Sequence, residues 1–200
     1  MKAGGIILSG GKSSRMGANK SLLKINQKPN IERIKDELAK LVSDIVIVSN
    51  DPETYQFLKI KTVSDVYPGQ GPLAGIHAGL LASPFAVNLV VACDMPFIST
   101  ELGGFLLESS ENYDAVLPVI NGKHQPLFAV YKKSICAEVE ASIRHEELTV
   151  RGLLSKLNVR YITEADIPEH LLHQLDKYFY NMNRPEEYEA AIRMAGTEHY

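Results

Sequence analysis

Short, unbroken apolar runs alternate with segments of helical spacing through the first hundred residues, and this pattern constrains the fold more than any other feature. Residues 5–9 (Gly5-Ile6-Ile7-Leu8-Ser9), 45–49 (Ile45-Val46-Ile47-Val48-Ser49) and 89–92 (Leu89-Val90-Val91-Ala92) are apolar on consecutive positions, with residues 60–63 a weaker version. Strands that alternate apolar and polar residues keep one face wet; runs like these belong to strands buried on both faces. Between them, Ile31, Ile34, Leu38 and Leu41 fall at helical spacing behind Asn30, which is placed to cap the helix, and residues 73–82 suit a helix with small residues on one face. Strand and helix in alternation predict an α/β fold: three layers, a mostly parallel sheet, helices on both faces and right-handed crossovers.

The second half is less regular. Residues 115–119 and 127–131 read as strands around the turn pair Asn121-Gly122, and helices are expected at 134–144, 150–157 and 185–195. With no repeat, linker or low-complexity stretch, the 200 residues are expected to form a single domain. Lys and Arg number 21 against 24 Asp and Glu, a balance of −3 that disfavours nucleic acid as a partner. The longest apolar stretches, such as residues 85–93 with Asn88 inside, are too short for a membrane span. The first residues lack the pattern of a secretory signal, and Cys93 and Cys136 make no disulfide framework, so a cytoplasmic location is expected.

In open parallel sheets, ligands bind beyond the carboxyl ends of the strands. The segment after the first strand carries Gly10 and Gly11, then Arg15 and Lys20. Paired glycines let backbone N–H groups approach an anion, Arg offers a bidentate phosphate contact and Lys a point charge. The segment therefore reads either as a polyphosphate site or as a surface loop with incidental cations. It is not a Walker A loop, because Gly11 stands where that motif needs its Lys. The formal Gly-x-Gly-x-x-Ala match at residues 69–74 has Pro72 inside it and no strong strand directly before it.

Asp94 ends another apolar strand, with Pro96 next. A carboxylate there suits Mg²⁺ bridging phosphate oxygens, or simply starts a turn. Its neighbour Cys93 reads as a small buried hydrophobe. Gly75 and Gly79, four apart on one helix face, make room for a bulky ligand or for a neighbouring strand. Asn183 or Arg184 is placed to cap the helix begun by Pro185, which leaves Asn181 unexplained. His170 and His173 have no metal-site companions and read as surface residues.

These residues resemble a known family. Leu8-Ser9-Gly10-Gly11, Arg15-Met16-Gly17 and Lys20 resemble the signature loop of nucleotidyltransferases with the nucleotide-diphospho-sugar transferase fold, which is Rossmann-like. Gly71-Pro72-Leu73-Ala74-Gly75-Ile76, Cys93-Asp94-Met95-Pro96-Phe97, Gln125-Pro126-Leu127-Phe128 and Asn181-x-Asn183-x-Pro185-Glu186 are similar to blocks of the molybdenum cofactor guanylyltransferases. The family usually has Ala at the place of Ser9 and often Asp at the place of Asn19.

The resemblance implies transfer of GMP from GTP to the terminal phosphate of the molybdenum-pterin cofactor, with pyrophosphate released. It implies nucleotide contacts from Leu8, Ser9, Gly10, Gly11, Lys20, Asn50, Asp65 and Asp94, and a Mg²⁺ ligand in Asp94. It implies further that Arg15, Lys20 and Asp94 carry the catalytic load and that Gly75, Gly79, Asn181 and Asn183 lie on the acceptor side. A nucleotide-binding half of about residues 1–100 and an acceptor-binding half of about 101–200 follow, as do partner proteins that deliver the cofactor or receive it as molybdoenzymes. The alternative is a sister nucleotidyltransferase that uses CTP on the pterin or acts on a sugar or polyol phosphate, since base choice rests on a few hydrogen bonds.

Overall fold

A computed structural model of the chain describes residues 2–10 and 19–196. In chain order the strands are β1 (Gly4–Leu8), β2 (Lys24–Ile25), β3 (Lys28–Pro29), β4 (Asp44–Val48), β5 (Lys61–Val63), β6 (Val87–Ala92), β7 (Ala115–Ile120), β8 (Lys123–His124), β9 (Phe128–Lys132) and β10 (Val159–Ile162). The helices are α1 (Asn30–Leu38), α2 (Gly71–Ala82), α3 (Thr100–Glu108), α4 (Cys136–Arg144), α5 (Val150–Leu154), α6 (Glu169–Leu172), α7 (Leu175–Tyr178) and α8 (Pro185–Gly196). Short 3₁₀ turns at Lys20–Leu22, Pro52–Leu58 and Lys133–Ile135 complete the set among the described residues.

The main sheet runs β10-β7-β9-β6-β1-β4-β5, with β8 folded back on β7. β1 pairs parallel with β4 and β6, and β4 parallel with β5, so the expected parallel core is present. β9 departs from it, antiparallel to both β6 and β7, as does the short β8 on β7. The unbroken apolar runs have the predicted consequence of two buried faces. Ile7, Ile45, Ile47 and Val91 join Ile31, Ile34 and Leu38 of α1 in one core cluster. Ile6, Leu8, Val48 and Val90 join Leu73, Ile76 and Leu80 of α2 in the other. Each such side chain withdrawn from water contributes roughly 1.5–3 kcal/mol before entropy is counted.

Besides elements that the sequence pattern did not mark, α3 the longest of them, three details differ from expectation. Pro29, not Asn30, occupies the N-cap of α1; Asn30 is the first helical residue, fully buried, and its amide donates to the Cys93 carbonyl at 2.7 Å. α5 stops at Leu154, three residues short of expectation, and the chain turns into β10, an edge strand absent from the sequence reading. The turn pair does form a hairpin, with φ of +50° at Asn121 and +69° at Gly122, but its second strand is the two-residue β8, and β9 pairs with β7 further along.

A third, smaller cluster matters for the site. Ile25, Phe97, Met182, Ala191 and Ala195 bring together the β2–β3 hairpin, the segment after β6 and the start and body of α8. Met182 has no exposed surface, so truncation to Ala would cost about 2–5 kcal/mol. That anchor carries Asn181 and Asn183 to the same sheet edge as Asp94.

Candidate active site

The register brings the ends of four strands level. Leu8 lies beside Val48 and Ala92, and Val48 beside Val63. Backbone bonds extend the ladder one residue further, from Ser9 N–H to the Val48 carbonyl, from Ser49 N–H to the Val63 carbonyl and from Cys93 N–H to the Leu8 carbonyl. Ser9–Gly10, Ser49–Asn50, Asp65 and Cys93–Asp94 therefore leave the sheet along one edge. The strand order reverses at β1, whose two neighbours are β4 and β6, and a crevice opens at such a switch point. Here it is a cleft of about 1260 Å³, lined by these residues together with Asn19, Lys20, Tyr55, Gly69, Gly71, Pro72 and Gly75. That volume exceeds what one small ligand needs.

At the β5 end, Asn50 and Asp65 satisfy each other. The Asn50 amide donates to an Asp65 carboxylate oxygen at 2.9 Å, and the Asp65 N–H donates back to the Asn50 Oδ1 at 3.0 Å. The entry to α2 passes through Gly69 and Gly71, whose φ values of +81° and +68° only glycine adopts without strain. Gly75 faces the cleft and also packs on Leu8, where a Cβ would meet Cδ2 at 3.2 Å. Gly79 is not on the cleft: a Cβ there would lie 2.4 Å from Ile6 Cγ2. Of the two readings, Gly79 has the neighbouring strand, because α2 must approach β1 closely to cover it, and an acceptor contact from Gly79 is corrected accordingly.

At the β6 end, Asp94 presents a buried Oδ1 with no hydrogen-bond partner among the described residues. Burial pushes its carboxyl above the ordinary carboxylate range; the Lys20 charge and a backbone hydrogen bond oppose the shift, and nearby Glu187 adds to it. Cys93 beside it packs partly against the core, and burial with the Asp94 charge pushes its thiol up to about 12, so it stays protonated and inert. A buried oxygen without a partner is costly unless something binds it. This donor fits a hard cation that takes its remaining ligands from phosphate and water.

Lys20 stands between the two sides. Its ammonium donates to Asn183 Oδ1 at 2.9 Å while its charge reaches Asp94. The Met182 N–H donates to the Asp94 carbonyl at 2.9 Å, which locks the Asn181–Asn183 segment against the β6 end. Asn183 does not cap α8 by its side chain. Glu187 does so from inside the helix, accepting from the Asn183 and Arg184 N–H groups at 2.5 and 3.0 Å. The Asn181 amide is turned back onto the Phe179 carbonyl at 2.9 Å. His170 is on the surface, 2.5 Å from an exposed Glu101 oxygen.

Gly11 and Arg15 lie outside the described residues. The residues that flank their segment are tied down by a group the sequence reading passed over. Tyr55 is 1% exposed, and its hydroxyl lies 2.7 Å from Ser9 Oγ, 3.0 Å from the Asn19 amide and 2.8 Å from Ser21 Oγ. Tyr55 sits in the polar crossover between β4 and β5, where no spacing signal distinguishes it. Asn30 and Ser21 carry no local mark of these roles because their partners Cys93 and Tyr55 are 63 and 34 positions away, whereas Glu187 reaches back only three and four residues, a helix-start pattern that local spacing could have flagged.

A switch-point cleft with a cation, a desolvated carboxylate and exposed backbone at the ends of parallel strands defines a nucleotide-handling α/β protein. Residues 5–161 match the family described as MobA-like NTP transferase domain, and the chain belongs to that family of nucleotidyltransferases. It is 38% identical over 196 residues to a probable molybdenum cofactor guanylyltransferase of Pelotomaculum thermopropionicum, covering 98% of this chain and 94% of the relative. A relative of the same description from Clostridium perfringens strain SM101 is 39% identical, with 96% and 98% covered. The fold is similar to the crystal structure of molybdopterin-guanine dinucleotide biosynthesis protein A from Archaeoglobus fulgidus, with a TM-score of 0.80, 27% identity and 97% and 99% of the two chains covered. Among the described residues no helix is long and apolar enough to cross a membrane.

Proposed function

We propose that this chain transfers GMP from GTP to the terminal phosphate of the molybdenum-pterin cofactor, giving the guanine dinucleotide cofactor and pyrophosphate. The observation that carries the reading is the end-to-end similarity to relatives described as molybdenum cofactor guanylyltransferases. The cleft supports it chemically. An acceptor phosphate oxygen attacks the α-phosphorus of GTP, the new P–O bond forms as the bond to the bridging oxygen breaks, and pyrophosphate leaves with that electron pair. The acceptor is already ionised, so no general base is needed, and the work is positioning and charge stabilisation.

Lys20 supplies a cation to the phosphates, joined in this reading by Arg15 and the Gly10 and Gly11 amides. Asp94 would hold Mg²⁺ through its unpartnered Oδ1, and that ion when bound neutralises charge on the phosphoryl oxygens. Leu8, Ser9, Asn50 and Asp65 face the nucleotide. Gly75, Asn181 and Asn183 face the acceptor, with the Lys20–Asn183 hydrogen bond joining the two sides. The reading carries with it a cytoplasmic setting and protein partners that deliver the pterin and take up the product.

The test is binding of GTP, CTP, ATP and UTP to the purified chain, then pyrophosphate release with Mg²⁺ and the phosphorylated pterin. Preference for GTP with turnover is the expected result. Turnover with CTP instead, or only with a sugar or polyol phosphate acceptor, makes the chain a sister nucleotidyltransferase.

A further inference from the structure

Ser9 and Asn19 are ten positions apart in sequence and both bond to the Tyr55 hydroxyl. The protons in this cluster have a single consistent arrangement. The Ser21 N–H donates to Asn19 Oδ1 at 3.1 Å, which fixes the orientation of that amide. The Asn19 nitrogen can then only donate, so Tyr55 accepts from it. Ser21 Oγ lies 2.7 Å from the same Asn19 Oδ1, which can only accept, so Ser21 gives its one hydrogen there. Tyr55 must therefore donate to Ser21, and Ser9 must donate to Tyr55. The tyrosine hydroxyl uses its hydrogen and both lone pairs, and none of the three partners belongs to the apolar core.

The ring and the hydroxyl thus have separate roles. The ring packs in the core cluster under α1. The hydroxyl joins three pieces of chain: the residue after β1, the turn that begins at Lys20, and the crossover between β4 and β5. Lys20 lies between Asn19 and Ser21, so both of its neighbours are tied to Tyr55. Ser9, Asn19, Lys20 and Tyr55 all line the cleft.

We propose that Tyr55 is a positioning residue for the triphosphate: its hydroxyl sets where the Lys20 backbone and the Ser9–Gly10 backbone stand relative to each other before GTP arrives. The proposal rests on the nucleotidyltransferase reading above. It differs from a purely structural role in its consequence, because a misplaced Lys20 harms phosphate binding and leaves the nucleoside untouched.

The experiment compares GTP and guanosine affinity, with melting temperature, in the wild type, Tyr55→Phe and Ser21→Ala. Tyr55→Phe keeps the ring and removes the hydroxyl. It should weaken GTP about ten-fold with guanosine affinity unchanged, the scale of one lost positioned contact. Ser21→Ala should show the same GTP-specific loss to a smaller extent, and it decides the matter if Tyr55→Phe does not fold. Wild-type GTP affinity in both variants overturns the proposal, as does equal weakening of GTP and guanosine. A wild-type chain that binds no triphosphate better than guanosine overturns the functional reading itself, a failure visible before any variant is made.

Discussion

The β5 end and the β6 end of the cleft each present an aspartate, and their surroundings are opposite. Asp65 is held by Asn50 through two reciprocal hydrogen bonds in a half-exposed setting. Asp94 is largely buried, has one oxygen with no partner among the described residues, and sits above the usual carboxylate range because burial disfavours its charge. A satisfied pair is a stable wall with defined donors and acceptors. An unsatisfied buried carboxylate destabilises the ligand-free chain and gains most from a cation. Under the proposed function, the two aspartates at one sheet edge would take different work, Asp65 nucleotide contact and Asp94 the metal.

The largest expected effect separates the two ends directly. Asp94→Asn should lower turnover by about two to three powers of ten, the ~3–4 kcal/mol scale of a lost electrostatic stabiliser, with partial recovery at raised Mg²⁺. Asp65→Asn should cost far less; if steady-state assays find the reverse order, the metal belongs at the β5 end. Stability should move the other way. The folded-state pKa of Asp94 is raised, so the folded chain holds that proton more tightly than the unfolded chain, and ligand-free stability falls as pH rises from 3.8 through the folded value. At neutral pH, Asp94→Asn should therefore melt higher than wild type without ligand, by about 2–4 °C for each kcal/mol regained.

Lys20→Ala comes next. Losing a charge-assisted phosphate contact should weaken GTP by roughly 1.5–3 kcal/mol and leave guanosine unaffected, as titration of both ligands would show. Lys20 also holds the Asp94 pKa down, so its removal raises that pKa further. The acid limb of the residual activity should shift to higher pH, and an unshifted limb would mean that Asp94 does not govern it.

The smallest effect concerns the link between the sides. Asn183→Asp places a carboxylate where Lys20 now donates to an amide, and that carboxylate competes with phosphate for the ammonium. GTP affinity should fall by up to about five-fold together with acceptor use, the range of a partly screened ion pair. Asn181→Asp, whose side chain faces the Phe179 carbonyl, should impair the acceptor alone. Equal GTP affinity in both variants would show that the Lys20–Asn183 bond does not persist when nucleotide binds.

The amino-acid sequence by itself determined the layered α/β plan, because consecutive apolar residues such as Ile45–Val48 can be satisfied only between two covering layers, and it marked the strand ends where Asp94 and the glycine segment fall. The four-residue spacing of Gly75 and Gly79 was legible as well, but whether strand or ligand filled the space was not, since that depends on how closely α2 lies on Ile6 and Leu8. Only the tertiary structure decided which polar groups meet. Asn30 reaches Cys93, Tyr55 reaches Ser9 and Asn19, and Lys20 reaches Asn183 across 163 positions of sequence. Hydrophobic periodicity is a local signal set by the geometry of a helix or strand, whereas a hydrogen bond between distant segments is set by strand order and register, which single-residue patterns do not encode. For the same reason the difference between Asp65 and Asp94 has no trace in their own residue type: it lies entirely in which neighbours the fold supplies.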